Sequence, residues 1–381
     1  MLSLYLKPTN YCNIDCEHCY LPKSVRAEKL VMDEAALRRV ARFAKDLRER
    51  ESHPGIHFIW HGGEPLVLSP SYYWRADEIL REELEGEVFS QSLQTSLIPY
   101  REEWSTLIDK VFDGHIGSSV DFTQRSIKSS PGAYLDLWMD KVRLARSHGH
   151  FVLPGMVPTR HESKKAQEIF DWFVENDFHA FNVDRFSQYG SSTIDWPSNR
   201  EHSRFLIGLF DAMIDSLAVR GWAPAINVLS AGIQGVLLGN SGDRWGTRCQ
   251  KEFLVVEPDG SLNTCPDRAK HETPYSNISD GIDALIASPG RRNWIRIMDV
   301  THKESHCHTC EFRHFCKSGC PVTPNGPANG QVECSGYKTF LLHVKAYSDQ
   351  NPEMRDRLLA YSSRQLSDLD RFFAQHEGVH Q

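Results

Sequence analysis

Near its N-terminus the chain carries the stretch Cys12-Asn13-Ile14-Asp15-Cys16-Glu17-His18-Cys19-Tyr20. Three thiols stand there at C-x3-C-x2-C spacing, directly after an alternating apolar run from Leu2 to Lys7. A 4Fe-4S cluster is usually held by four cysteine thiolates, so a compact loop that offers three leaves one iron open to a second molecule. Zinc and free core cysteines are the alternatives. Zinc motifs usually pair two close cysteines with a second pair nearby, and none follows this loop.

Composition places the chain among soluble globular proteins. It has 381 residues, of which 40% are hydrophobic and 24% charged, and a formal net charge of -7. Because nucleic-acid-binding proteins are usually basic, we expect no nucleic-acid partner. We also expect no membrane association, since no apolar run approaches the roughly 18 residues of a transmembrane helix. Ten cysteines without an export signal favour metal binding in a reducing cytosol, which predicts a cytoplasmic protein.

Strand-like and helix-like stretches alternate through the first half of the chain. The predicted strands are Leu2–Lys7, Ile56–Trp60, Val88–Gln94, His115–Val120, Phe151–Val157 and Ala180–Phe186. The predicted helices between them are Asp33–Arg50, Tyr72–Leu84, Glu102–Phe112, Tyr134–Ser147 and Lys164–Asn176. Repeated β-α units of this length predict an α/β fold with a parallel sheet and helices outside it. Six units would make a partial, TIM-like (β/α)6 barrel, with the site at the strand ends.

A glycine-rich turn, Gly62-Gly63-Glu64-Pro65, follows the second predicted strand. Two glycines let the backbone approach a ligand closely, and a nearby carboxylate can hold an ammonium group. Together with the cysteine loop, this turn resembles the GGEP element of the radical S-adenosylmethionine (SAM) superfamily. The resemblance implies a radical SAM barrel in which Gly62, Gly63 and Glu64 cradle the amino group of SAM. It also implies a first cluster held by Cys12, Cys16 and Cys19.

The resemblance continues at the next strand ends. Gln94-Thr95-Ser96 resembles a Gln-Thr-Asn element of the family, with Ser in the third place. The family often uses a Ser and a following Arg on the SAM carboxylate and ribose. Ser119 and Arg125 match those positions, with Lys128 as the alternative to Arg125. His61 stands at the site by its position in the chain.

The remaining seven cysteines lie between residues 249 and 334. Cys249 precedes a predicted hairpin, Glu252–Leu262, and Cys265 follows it. A C-x2-C-x5-C-x3-C run and one further cysteine complete the set: Cys307, Cys310, Cys316, Cys320 and Cys334. This pattern resembles the SPASM extension of radical SAM peptide-modifying enzymes. The resemblance implies two auxiliary 4Fe-4S clusters, one held by Cys307, Cys310, Cys316 and Cys334 and the other by Cys249, Cys265 and Cys320.

One thiol of the family pattern is missing before Cys249. That stretch carries Asp243 instead, so either Asp243 supplies an oxygen ligand or one iron stays open to water or substrate. Zinc is the alternative for the whole set, because tetrahedral zinc accepts Cys and His alike. Four histidines lie close by in sequence: His302, His306, His308 and His314.

The sequence predicts four parts. They are a radical SAM partial barrel at 1–190, a helical connector at 191–241, a Cys-rich SPASM domain at 242–336 and C-terminal helices at 337–381. The resemblance implies three 4Fe-4S clusters, SAM, and an electron donor such as flavodoxin or ferredoxin.

The implied activity is that of a peptide maturase. A 5′-deoxyadenosyl radical removes a side-chain hydrogen from a ribosomally made precursor peptide, and a carbon–carbon cyclophane or thioether crosslink forms. Asp267 is the candidate base. One alternative is an anaerobic sulfatase-maturing enzyme, which normally has eight auxiliary cysteines and an Asp directly after the cysteine that matches Cys265. Here Pro266 intervenes. The other alternative is a non-catalytic iron–sulfur electron carrier, which needs no SAM pocket.

Overall fold

The computed structural model describes residues 1–14, 16–127, 129–186, 195–240, 248–301, 306–317, 319–320, 322–323, 334 and 337–369. The first half contains β1 (Leu2–Leu6), α1 (Lys23–Arg26), α2 (Glu34–Arg50), β2 (Ile56–Trp60), α3 (Pro70–Glu83), β3 (Phe89–Thr95), α4 (Ser105–Phe112), β4 (His115–Ser119), α5 (Pro131–Ser147), β5 (Phe151–Met156), α6 (Ala166–Glu175) and β6 (Ala180–Val183). The second half contains α7 (Asn199–Arg220), β7 (Ala225–Ile226), α8 (Asn227–Leu238), α9 (Arg248–Glu252), β8 (Phe253–Val256), β9 (Ser261–Asn263), β10 (Ser276–Asn277), α10 (Gly281–Ala287), α11 (Pro289–Thr301), α12 (Arg313–Cys316), α13 (Tyr337–Gln350) and α14 (Arg355–Ser362).

The described residues form two compact units. The first consists of 1–152 and 248–295, and the second of 153–186, 195–240 and the described residues from 296 onward. The stretch 248–295 therefore folds together with the N-terminal strands. The four-part division at residues 190, 241 and 336 stays a prediction.

Parallel strands form the core of the first unit. β1 pairs with β2, β2 with β3 and β3 with β4, all in parallel. The other edge of β1 pairs in parallel with β8, which continues into the antiparallel strands β9 and β10. Leu2, Leu4 and Leu6 are fully buried, and Tyr5 between them is nearly so. A central strand of a parallel sheet is covered on both faces, as this burial shows. The predicted α/β class is confirmed.

Capping residues and prolines determine where three of these helices begin. α3 begins at Pro70, two residues before the predicted start, because proline fits the first helical position, where its missing N–H is not needed. α5 begins at Pro131, and the Ser130 side chain accepts a hydrogen bond from the Ala133 N–H at 3.1 Å. α2 is capped by Asp33, which accepts from the Ala36 N–H at 2.7 Å.

The second unit contains β5 from Leu153 onward, β6 and β7, which pair in parallel. β7 was not predicted, and it lies within the stretch 191–241 that was predicted to be a helical connector. Two glycines of α8 give room to aromatic rings. A Cβ on Gly232 would stand 2.5 Å from the Phe340 ring, and one on Gly235 would stand 2.4 Å from the Phe315 ring. Among the described helices, none is long and apolar enough to cross a membrane.

Candidate functional site

An open cavity of about 600 Å³ lies at the carboxyl ends of the first unit's strands. The residues that line it come from the cysteine loop, from the turn after β2 and from the ends of β3 and β4. They are Cys12, Ile14, Cys16, His18, Cys19, Tyr20, Arg26, His61, Gly62, Gly63, Glu64, Gln94, Thr95, Ser96, Ser119 and Arg125. Separate stretches of the sequence thus meet in one place.

Backbone hydrogen bonds hold the cysteine loop. The Cys12 N–H donates to the Arg26 carbonyl at 3.2 Å, and the Cys19 N–H donates to the Cys16 carbonyl at 3.3 Å. The Glu17 N–H donates to the Gln124 carbonyl at 3.1 Å. The loop is therefore fixed at both ends and in its middle.

Burial opposes ionisation of two thiols of this loop. Burial raises the pKa of the Cys12 thiol to about 12 and that of the Cys16 thiol to about 11. The Arg125 guanidinium opposes the second shift, and the neighbouring thiols add to both. Because a metal ligand must be deprotonated, binding of a cluster here releases protons.

The two glycines of the turn are required by a close approach between backbones. A Cβ on Gly63 would lie 2.2 Å from the Tyr11 carbonyl oxygen, and one on Gly62 would lie 2.3 Å from that of Thr9. Gly62 also has a φ of +122°, which side chains rarely adopt. The Gly63 N–H donates to Thr9 at 3.0 Å. The two glycines were predicted to let a ligand approach the turn. They also let the backbone that leads into Cys12 pack against it.

The Glu64 carboxylate is buried beneath this turn and connects it to the end of β3. It accepts hydrogen bonds from the Thr95 hydroxyl at 2.5 Å, the Ser96 N–H at 2.7 Å and the Leu66 N–H at 3.0 Å. A carboxylate has about four acceptor positions, so one direction remains for a further donor. Thr95 was not predicted as a partner of Glu64, because this contact is visible only when β2 and β3 lie side by side.

The end of β3 carries a buried hydroxyl that faces the cavity. Among the described residues, the Ser96 hydroxyl oxygen has no hydrogen-bond partner, although the residue is only 6% exposed. A buried polar group without a partner is costly, so this atom fits a site that receives a polar ligand. Ser119 lies beside it at the end of β4 and accepts a hydrogen bond from the Gln94 amide at 3.3 Å.

Arg125 lies against the cysteine loop. Its Nη1 donates to the Cys16 sulfur at 3.2 Å, and its Nε donates to Asp121 at 2.6 Å. The guanidinium thus brings a fixed positive charge to the cavity wall. A contact of Arg125 with the SAM carboxylate stays a prediction, and the alternative, Lys128, lies outside the described residues.

His61 lines the cavity as a neutral ring. It stacks on Tyr5 with ring centroids 4.5 Å apart, and its Nδ1 accepts from the Gly62 N–H at 2.8 Å. Burial lowers the pKa of His61 to about 3, with the charges of Lys7 and Arg125 adding to the shift. This ring therefore carries no charge near neutral pH.

The second cysteine set is divided between the two units. Cys307, Cys310, Cys316 and Cys334 belong to the second unit, and the Cys310 N–H donates to the Cys307 carbonyl at 3.1 Å. Burial raises the pKa of the Cys316 thiol, and the other three thiols raise it further because they lie near it. These four cysteines therefore come together. Their role as cluster ligands stays a prediction.

The other auxiliary residues are only partly described. Cys249 and Cys265 lie in the first unit and Cys320 in the second. Asp243 and His302 lie outside the described residues. The nearby histidines have protein partners, since His308 lies 3.2 Å from the Arg313 guanidinium and His314 lies 3.1 Å from the Glu311 carbonyl.

Asp267 lies close to three groups near the cavity. Its charge acts on the hydroxyls of Tyr5 and Tyr20 and on the Lys7 ammonium. Tyr20 lines the cavity, so the candidate base is near the site even though Pro266 separates it from Cys265.

The residues present fit a cluster with SAM. In the described part of the chain, no three His, Cys, Asp or Glu side chains already surround one point as they would a single metal ion. A 4Fe-4S cluster does not need that arrangement, because each thiolate binds a different iron. Three thiols in one cavity, a free acceptor direction on Glu64 and the unpartnered Ser96 hydroxyl suit a cluster and a polar ligand.

Comparisons with known proteins agree with this geometry. The family model of the radical SAM superfamily matches residues 6–173. A serine-type anaerobic sulfatase-maturating enzyme of Klebsiella aerogenes is 25% identical over 355 residues, which are 88% of this chain and 83% of that protein.

Two solved structures share the fold. Native anSMEcpe with bound AdoMet has a TM-score of 0.75 at 20% identity and covers 95% of this chain and 100% of its own. Streptococcus suis SuiB bound to precursor peptide SuiA has a TM-score of 0.60 at 16% identity and covers 86% of this chain and 74% of its own. The cysteine loop and the glycine turn both lie within residues 6–173, the stretch that matches the model of the radical SAM superfamily.

Proposed function

We propose that this protein is a radical SAM maturase that forms a crosslink between side chains of a ribosomally made peptide. The observation that supports it best is the single cavity shared by three thiols and the Gly62-Gly63-Glu64 turn. Seven further cysteines exceed what generating a radical requires. They suit the removal of an electron when a bond closes.

The protein's own residues have definite tasks in this proposal. When bound, the cluster and SAM supply a 5′-deoxyadenosyl radical that abstracts hydrogen from an unactivated carbon. Cys12, Cys16 and Cys19 hold the cluster, and Glu64 accepts from the SAM ammonium. Asp267 takes the proton lost on bond closure. The protein thereby orients the cofactor and excludes water, while the cofactor carries the radical chemistry.

Formylglycine formation is the second candidate function. It is favoured by the Klebsiella aerogenes sulfatase-maturating enzyme, which matches 88% of this chain. The absent eighth auxiliary cysteine and Pro266 after Cys265 argue against it. A peptide substrate suits both candidates, since SuiB has been solved with its precursor peptide bound.

One experiment separates the two functions. Reconstituted enzyme receives SAM and a reductant, with either a short precursor peptide encoded beside its gene or a sulfatase-derived peptide. Crosslinking and formylglycine formation from serine both remove two hydrogens, so tandem fragmentation and hydrazine trapping must follow the mass measurement. We expect suppressed cleavage between two joined residues of the precursor and no trapped aldehyde.

The opposite results are equally informative. An aldehyde on the sulfatase peptide, with no crosslink on a precursor, would transfer the assignment to formylglycine formation. No release of 5′-deoxyadenosine under any condition would favour the electron carrier, which needs no SAM pocket.

A further inference from the structure

A buried cluster of charges lies beside the cavity in the first unit. The Lys7 ammonium is 2.6 Å from Glu257 Oε1, and both side chains are at most 1% exposed. Glu257 Oε2 accepts from the Asn10 amide at 3.0 Å and lies 3.1 Å from the Lys270 ammonium. We call these four residues the Glu257 cluster.

The Glu257 cluster joins three separate segments of chain. Lys7 directly follows β1, and its N–H donates to the Val256 carbonyl at 3.0 Å. Asn10 stands two residues before Cys12, the first ligand of the loop. Lys270 lies in the turn that follows Cys265. One carboxylate therefore holds the entry to the cysteine loop and the segment that carries Asp267.

Tyr20 receives two contacts from the same surroundings. The Lys7 ammonium lies 5.1 Å from the centre of the Tyr20 ring, within reach of a cation–π interaction. The His271 ring nitrogen lies 2.6 Å from the Tyr20 carbonyl oxygen. Since Tyr20 lines the cavity, His271 ties the segment after Cys265 to the cavity wall, and Lys7 of the Glu257 cluster contacts the same tyrosine.

Stability alone is a poor explanation for the Glu257 cluster. Buried ion pairs are often no more stabilising than apolar residues of similar volume, because both charges lose their hydration. What such a pair does provide is a defined geometry, since each charge must lie where its partners are. Here the partners belong to the cysteine loop and to the segment of Asp267.

We propose that Glu257 is a positioning residue that fixes the Asp267 segment relative to Tyr20 and the cysteine loop. Its consequence for catalysis rests on the proposed function. If Asp267 takes a proton at the end of the reaction, displacing it leaves radical generation intact and impairs only the completion of the product.

The first measurement needs no peptide substrate. Hydrogen exchange is followed by mass spectrometry on the cluster-loaded full chain, for the wild type and for Glu257→Gln. We expect amide exchange about tenfold faster in both 16–21 and 265–272, because the tie between them is lost. Glu83→Gln serves as the control. Glu83 pairs with Arg38 and Arg42 at the surface, and both segments should exchange as in the wild type.

A triple variant separates positioning from stability. Lys7→Met, Asn10→Leu and Glu257→Met together remove both buried charges and the Asn10 amide that would otherwise lose its acceptor. Lys270, which is 20% exposed, can turn toward water. We expect the melting temperature to return toward the wild-type value while exchange in both segments stays fast. Recovery of slow exchange together with the melting temperature would show a purely structural role and overturn the proposal. Unchanged exchange in Glu257→Gln would overturn it as well.

The second measurement tests the consequence for catalysis. The measurement uses a peptide that the wild type modifies. In Glu257→Gln the ratio of 5′-deoxyadenosine to product should rise about 10-fold to 100-fold, because a small displacement of a reacting group can slow a step by that much. An unchanged ratio would overturn that consequence. If the wild type modifies no peptide, the proposed function fails, and the exchange measurement still decides the role of Glu257.

Discussion

At the scale of single residues, the site depends on groups that satisfy one another away from water. Glu64 is the clearest case, because its buried carboxylate accepts from Thr95, Ser96 and Leu66. The same carboxylate thus fixes the end of β3 and faces the cavity. A variant of such a residue should therefore change both the stability of the fold and the binding of a ligand in the cavity.

Replacement of Glu64 by Gln should therefore lower both stability and SAM affinity. The amide nitrogen of Gln is a donor and would face either the donors of Thr95 and Leu66 or the Ser96 N–H, which should cost about 1–3 kcal/mol of unfolding free energy. Urea unfolding of the metal-free protein measures the first effect, and calorimetric titration of the loaded enzyme with SAM measures the second. Glu85→Gln is the control, because Glu85 is exposed in the turn after α3 and its replacement should change neither quantity. Wild-type SAM affinity in Glu64→Gln would contradict the role of this carboxylate.

The three loop cysteines give a second test at the residue scale. Cys12→Ala, Cys16→Ala or Cys19→Ala each removes one of three anchors, and cluster binding is coupled to local folding. We expect no 5′-deoxyadenosine above background, while the cysteines from Cys307 onward retain their iron. The control is Ser24→Ala in α1, which should leave the release of 5′-deoxyadenosine unchanged because Ser24 is exposed. If a variant that lacks all three thiols still released 5′-deoxyadenosine, the radical would have to arise elsewhere.

At the scale of elements, the site exists because the turn after β2 lies against the loop after β1. The Gly63 N–H donates to Thr9, and the Glu64 N–H donates to Tyr11 at 2.9 Å. No side chain larger than hydrogen fits at Gly63, where a Cβ would meet two backbone carbonyls. The glycine is thus needed for the packing of one segment on another.

Gly63→Ala should displace the cysteine loop and lower the occupancy of the first cluster. The new methyl group would stand 2.2 Å from the Tyr11 carbonyl oxygen, a distance that only backbone movement can relieve. Gly132→Ala is a matched control, because its nearest neighbour would be 4.0 Å away. Iron content and the visible absorption of reconstituted protein report the difference. Equal iron in both variants would contradict the packing argument.

The sequence predicted the local elements better than their partners. Apolar patterns located β1 to β4 and the helices between them within a few residues, since these patterns are local. The pairing of β8 with β1 was not predicted, because Phe253 and Ser3 are far apart in sequence and no periodicity links them. For the same reason the contact between Lys7 and Glu257 was not predicted, since the two residues are 250 positions apart in the sequence.

At the scale of the whole molecule, the ten cysteines fall into groups with different surroundings. Three line the cavity with Glu64, whereas Cys307, Cys310, Cys316 and Cys334 come together in the second unit. Separate groups suit separate tasks, one for producing a radical and the others for accepting an electron. The metal content of the whole chain tests whether each group holds a cluster.

Anaerobically reconstituted protein should contain about twelve irons per chain, four for each of three clusters. Replacement of Cys12, Cys16 and Cys19 together by Ala should lower the count to about eight, because each cluster is held by its own thiolates. Iron and zinc are measured together by mass spectrometry of the metals. If zinc fills the tetrahedral Cys and His positions instead, iron falls to about four and zinc appears in its place. That result would leave the radical SAM domain intact and remove the auxiliary clusters from the proposed reaction.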